Sequence, residues 1–137
     1  MTYKHKLLCL PVLAALFLGA CNRPTHVITP CEGVACTMIF ASVSVYVADN
    51  SGQPVLLDEA YSVKQSTGEV IRGGNHPGDG IYTILDDGYQ KRIATIGVDL
   101  RFIGKKNGTV VVDEPYRVIA DCCHVSKASG KDTLVVQ

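Results

Sequence analysis

The side chains with the most chemistry to offer are the cysteines. Of the six, four lie well inside the chain: Cys31, Cys36, Cys122 and Cys123, with His124 directly after the last. Four thiols and an imidazole can make two disulfides, a soft-metal site or a redox centre. A thiol–disulfide enzyme needs C-x-x-C at a helix N-terminus, and that motif is absent. Zinc takes four soft ligands in a tetrahedron, and Cys122, Cys123 and His124, with Cys31 and Cys36, form the alternative metal site. Against it, the spacings C-x4-C and C-C-H lack the paired C-x2-C knuckle, and adjacent cysteines seldom ligate one ion. Disulfides are the favoured reading. Four cysteines allow three pairings, one of which needs a strained bridge between neighbours. The other two tie the start of the domain to its penultimate strand. Each such bridge closes a loop of about 90 residues and contributes roughly 4 kcal/mol on the chain-entropy model. Adjacent strand residues point to opposite faces, so Cys122 and Cys123 are expected to reach two partners, one within the core and one on the rim.

A second group with chemical potential is the loop at residues 73–80 (GGNHPGDG), where Asn75, His76 and Asp79 could ligand a cation or touch a partner. The acidic doublets Asp58-Glu59, Asp86-Asp87 and Asp113-Glu114 adjoin turns or strand ends, where carboxylates form turns or stay solvated. The tyrosines Tyr46, Tyr61, Tyr82, Tyr89 and Tyr116 suit either an exposed patch or the edge of a core. There is no G-x-S-x-G, H-E-x-x-H, P-loop or dinucleotide fingerprint. No nucleophile–base pair can be named, so the expectation is a protein without catalysis and without a cofactor.

The composition sets where such side chains would work. The 137 residues carry 13 Lys+Arg and 13 Asp+Glu, with 47% hydrophobic residues. That balance excludes a disordered chain and argues against a basic nucleic-acid binder. Lys4 and Lys6 precede an apolar run from residue 7 to 18, too short to span a bilayer, which takes about 20 residues, but right for a signal peptide. The run ends in Leu18-Gly19-Ala20-Cys21, which resembles the lipobox of bacterial lipoproteins. The resemblance implies that the chain is cut before Cys21 and that Cys21 is acylated on its sulfur and its new amino group. Multiple acyl chains hold a protein stably on a membrane. The mature chain would then have 137 − 20 = 117 residues and a net charge of 11 − 13 = −2. The domain organisation is thus a signal peptide at 1–20, a lipidated N-terminus and tether at 21–35, and a folded domain at 36–137. Four cysteines remain for an oxidising compartment once Cys9 leaves with the signal and Cys21 goes to lipid.

Strands must position these groups. From residue 37 to 48, Ile39, Ala41, Val43, Val45 and Val47 alternate with Met38, Phe40, Ser42, Ser44 and Tyr46, a period of two with one apolar face. Turn residues 49–54 follow. Further strands are expected at 60–65, 69–72, 81–85, 92–96, 97–105, 109–113, 116–125 and 133–136. Asn107-Gly108 is the strongest hairpin signal, since both residues tolerate positive φ. Asn107-Gly108-Thr109 also matches a glycosylation sequon, which the hairpin explains better. No segment shows a helical stripe with caps. Short strands at intervals of about ten residues imply an all-β sandwich.

Val45-x-Val47-x-Asp49-x-x-Gly52-x-Pro54, followed by Asp79-Gly80-x-Tyr82-x-Ile84, resembles the carboxypeptidase regulatory-like, or transthyretin-like, domain family. The match runs over residues 43–85, and the second half of the chain departs from it at Cys122-Cys123-His124. The resemblance implies an immunoglobulin-like or prealbumin-like β-sandwich of about seven to eight strands, a stabilising or adhesive module with no catalytic site. The expected protein is therefore a lipid-anchored module of the bacterial cell envelope with a structural or binding role. Its partners would be the membrane, through the lipid, and an envelope protein or glycan, with no nucleic acid. The alternative is a metal- or small-ligand-binding lipoprotein that uses the Cys/His cluster.

Overall fold

A computed structural model describes residues 31–74, 77–93 and 96–137. Its elements are β1 (Ser42–Ala48), β2 (Glu59–Lys64), β3 (Val70–Ile71), β4 (Ile81–Asp86), α1 (Gln90–Ile93), β5 (Val98–Lys106), β6 (Thr109–Ala120), β7 (Val125–Ser129) and β8 (Thr133–Val135). They form a three-stranded sheet in the order β4-β1-β8 and a five-stranded sheet in the order β3-β2-β5-β6-β7. All pairings are antiparallel except β1 with β8. The protein is an all-β sandwich of eight strands among the described residues.

The alternation in β1 does what period two requires. Val43, Val45 and Val47 are buried while Ser44 and Tyr46 are half-buried on the other face. Facing them from the second sheet are Leu100, Phe102, Val112, Tyr116 and Val118, all in the same apolar cluster. Tyr82 and Phe102 meet across the layers with ring centroids 6.1 Å apart. Two polar ties cross the core. The fully buried Ser62 hydroxyl in β2 donates to the Ile84 carbonyl in β4 at 2.8 Å. The Tyr82 hydroxyl accepts from the Leu57 N–H at 2.7 Å and donates to the Val55 carbonyl at 2.9 Å.

The molecule has two chemically different ends. At one, the hairpin between β5 and β6 turns on Asn107 and Gly108, whose φ angles of 51° and 73° are those of the expected turn. Beside it the Asp49 carboxylate accepts from the N–H groups of Ser51 and Gln53, closing the 49–54 turn. Gly80 (φ 67°) approaches so closely that a Cβ there would lie 2.8 Å from Pro54 and 2.9 Å from the Val47 carbonyl. The two motifs of the first half, Asp49 to Pro54 and Asp79 to Ile84, thus meet in one corner. At the other end lie the start of β1, the end of β4, α1, and the turn between β6 and β7.

β7 is not among the strands expected from the sequence, which run one strand from 116 to 125 and place the next at 133, and four strand expectations need correction. β1 begins at Ser42, not residue 37, because β4 ends at Asp86, opposite Ser42, and β8 pairs only with residues 46–48. With no neighbouring strand among the described residues, residues 37–41 leave the sheet. Of the strand expected at 92–96, Arg92 and Ile93 lie instead in the single turn α1, preceded by a 3-10 turn at Asp87–Tyr89 that Asp86 caps by accepting from the Gly88 N–H, and residues 94 and 95 lie outside the described residues. The strands expected at 109–113 and 116–125 are one, β6, which contains Pro115. Proline has no N–H to give a ladder, and Pro115 lies beyond Arg117↔Ser129, the last β6–β7 pair, where β6 has a neighbour on one side only. Finally, β6 ends at Ala120, so Cys122 and Cys123 sit in the turn after it.

Candidate functional site

The cysteines, His124 and an unforeseen pair of residues gather at the second end. Asp121 builds the scaffold: its Oδ1 accepts from the backbone N–H groups of Cys123 and His124, both at 2.7 Å. Those bonds hold the Asp121 carboxyl below its ordinary pKa, the His124 N–H first and the Cys123 N–H second, against a smaller opposing effect of burial. The Asp121 N–H returns to the His124 carbonyl at 3.1 Å, closing the turn. In this turn both cysteines are half-buried and point toward the N-terminal segment.

There they form two disulfides, Cys31–Cys122 and Cys36–Cys123, with Cα–Cα distances of 5.2 and 5.3 Å. This is one of the two long-range pairings left open by the sequence. The expectation that one bridge enters the core and the other lies on the rim is wrong, because the cysteines occupy a turn and not a strand. Cys31 and Cys36 are exposed, and both bridges lie on the surface at the end of the sandwich.

Beside the bridges, His124 joins two distant residues. Its Nδ1 lies 2.8 Å from Asp87 Oδ2 and its Nε2 lies 3.0 Å from Thr37 Oγ1. With Nδ1–H donating to the carboxylate, a neutral His124 accepts from the Thr37 hydroxyl. Asp87 is a hub: Oδ2 also accepts from the Ala41 N–H at 2.7 Å and Oδ1 from the Val125 N–H at 2.8 Å. The Asp87 N–H in turn donates to the Ala41 carbonyl. Burial pushes the Asp87 pKa up, but the bonds from Ala41, His124 and Val125 together outweigh it and hold the carboxyl below its ordinary value.

A hydroxyl, an imidazole and a carboxylate in line is the order of an acyl-transfer triad. Acyl transfer also needs oxyanion donors and a substrate cleft. Here the N–H groups near the line are committed to Asp87 and Asp121, and Thr37 is exposed on a segment outside the sheets. Clefts at residues 64–66, 92–93, 96–99 and 117, and at 65, 99, 114–117 and 129–131, lie away from it. What the arrangement does physically is clamp. Thr37 and Ala41 are both fastened to the end of the sandwich, and residues 38–40 are held between them.

The other expected site residues lie elsewhere. Asn75 and His76 fall outside the described residues. Asp79 is exposed in a 3-10 turn, Pro77–Asp79. The length of β4 separates it from His124, so the loop and the cysteine cluster are not one site. Oxidised in pairs, the cysteines have no thiolate to give a metal, and among the described residues no group of three His, Cys, Asp or Glu is placed to hold one. The acidic doublets are used structurally: Asp58 accepts from the Asn107 N–H, Glu59 pairs with Lys105, Asp113 with Arg101 and Glu114 with Lys131. Tyr82 and Tyr116 are buried, and Tyr61 lies on the sheet surface between Arg72 and Lys105, so the tyrosines form no single patch. Thr37 and Asp87 were not foreseen, and nothing local in the sequence marks them as partners of His124.

Comparisons with protein-family models, with curated proteins and with solved structures find no match.

Proposed function

We propose that the chain is a lipid-anchored module of the bacterial cell envelope, held by acyl chains on Cys21, with a structural or binding role toward an envelope protein or glycan. The observation that carries this reading is the position of the two disulfides. They fasten the segment that follows Cys21 to the turn between β6 and β7. Pull arriving through the tether would pass at Cys31 directly into the sandwich and could not peel the N-terminal segment away from it. Disulfides also persist in compartments outside the cytosol, where a lipoprotein resides. The surface left to a partner is the opposite end, with the 49–54 turn, Asp79 and the Asn107-Gly108 hairpin.

The test is metabolic labelling in a bacterial host with an alkyne-bearing palmitate. The intact chain is expected to take up label and sediment with membranes, and Cys21→Ser to be unlabelled and released. Equal labelling of the two, or none in either, would overturn the anchor. Substitution of Asp79 then asks whether the distal loops carry binding: a partner cross-linked to the intact chain is expected to be lost.

A further inference from the structure

The exposed apolar side chains are not spread evenly over the surface. Among the described residues the four most exposed large apolar side chains are Met38 (104%), Ile96 (76%), Ile39 (71%) and Phe40 (69%), and all lie at the disulfide-bonded end. Met38, Ile39 and Phe40 are consecutive. Ile96 stands across that end, where its carbonyl accepts from the Arg117 guanidinium at 2.8 Å. Beside it, Ile119 is itself exposed, and a Cβ on Gly97 would lie 3.0 Å from its side chain. The opposite end presents Asn50, Ser51, Asp58, Asp79, Lys106 and Asn107, with the less exposed apolar side chains of Leu56 (53%), Ile81 (43%), Val110 (50%) and Val135 (60%) scattered among them.

Residues 38–40 are also not free to hide their side chains. The Cys36–Cys123 bridge and the Thr37–His124 bond fix one side of them, and the paired Ala41–Asp87 bonds fix the other. Three residues pinned at both ends cannot fold back onto the core. An apolar group held outward in this way marks a surface that something else covers.

From this we infer that the disulfide-bonded end docks on the bilayer, with Met38, Ile39 and Phe40 inserted in the headgroup–acyl boundary and Ile96 and Ile119 at its edge. The inference rests on the lipid-anchor reading above, and the length of the chain argues for it. Cys31 is ten residues from Cys21, a span of at most about 35 Å when fully extended. The end that receives this short tether is the end that carries the apolar side chains. β6, at 12 residues, sets the Asn107-Gly108 hairpin roughly 35 to 40 Å above it. Lipid anchoring and apolar insertion then act together, since two membrane-binding elements hold far more firmly than one.

The chain has no tryptophan, so a single indole reports its own surroundings. Full-length lipidated protein carrying Phe40→Trp is reconstituted into phosphatidylcholine vesicles with brominated acyl chains, beside the same protein carrying Val110→Trp near the distal hairpin. Flotation of both with the vesicles verifies the anchor. Blue-shifted emission and about twofold or greater quenching are expected for Phe40→Trp, with little change for Val110→Trp. Flotation with an unquenched, red-shifted Phe40→Trp overturns the docking and leaves the anchor standing. Failure to float overturns the anchor itself. A blue shift that grows with the protein-to-lipid ratio and is insensitive to bromine means that a second copy covers the patch, and also overturns the inference. Replacing Met38 and Ile39 by Asp in the Phe40→Trp protein is expected to abolish the quenching while flotation persists.

Discussion

The two disulfides cross in sequence, 31–122 over 36–123, and this overlap makes their joint contribution smaller than loop length alone suggests. Taken singly, bridges spanning 91 and 87 residues would each remove about 4.5 kcal/mol of unfolded-state entropy. Once either exists, however, the second closes only a small ring, residues 31–36 with 122–123. A ring of about eight residues is worth roughly 2.5 kcal/mol on the same model. Replacing one bridge by alanines therefore costs roughly 2.5 kcal/mol, and replacing both costs about 7 kcal/mol, which approaches the whole stability of a small domain. The exposed positions of Cys31 and Cys36 keep packing losses small beside this. Loss of Cys36–Cys123 is expected to be slightly the costlier, because it also loosens the Thr37–His124 bond. The assay is urea unfolding of the chain from residue 21 with Cys21→Ser, comparing Cys31→Ala/Cys122→Ala, Cys36→Ala/Cys123→Ala and the quadruple variant. Each double variant should lower the midpoint by on the order of 1–2 M urea. If either double variant costs about 4.5 kcal/mol, and the quadruple variant twice that, the bridges act independently and the overlapping-loop account is wrong.

Two further outcomes follow from the polar groups. Tyr82→Phe leaves the buried Leu57 N–H and Val55 carbonyl without their partner and is expected to cost about 2–4 kcal/mol. Tyr116→Phe, which frees only the Lys131 carbonyl, should cost about 1 kcal/mol by the same urea assay, and equal losses would contradict the assignment. The depressed Asp87 carboxyl stabilises the fold above its ordinary value of 3.8 and loses that contribution as pH falls through its lower folded value. Stability should accordingly drop as pH falls below about 4, and Asp87→Asn should be less stable at pH 7 with a shallower acid limb. Parallel acid limbs for the two proteins would show that Asp87 contributes nothing through its charge.

The sequence revealed structure wherever a local rule and the tertiary environment agree. Val43, Val45 and Val47 alternate because β1 has a core beneath one face, and Asn107-Gly108 turns because both residues accept positive φ. It misled where a pattern outran its environment. Met38 to Ala41 continue the alternation of β1, yet among the described residues no neighbouring strand reaches them, and side-chain periodicity carries no information about where a sheet ends. Likewise Arg92 and Ile93, expected in a strand, lie in the helical turn α1, which continues the 3-10 turn capped by Asp86. Asp121 was a visible turn signal before Cys122-Cys123, and it outweighed the strand propensity around it. The Thr37–His124–Asp87 line was illegible for a different reason: its members are 37 and 87 residues apart, and only the fold brings them together.

The same end of the sandwich holds both disulfides, the most heavily bonded carboxylate and the most exposed apolar side chains, and these three facts have one physical connection. An apolar tripeptide in water minimises its free energy by collapsing onto the nearest apolar surface, and the edge of the core is a few residues away at Val43. Keeping Met38, Ile39 and Phe40 outward requires fastenings stronger than that tendency, placed close enough on either side to leave no slack. A single hydrogen bond, worth about 1 kcal/mol net, would not hold three such side chains, each of which gains roughly 1.5–3 kcal/mol on burial. A covalent bridge at Cys36 and a two-bond grip of Asp87 on Ala41 would. The fastenings exceed what attaching a passive tether needs, and their excess is accounted for if they hold the apolar segment ready for a bilayer.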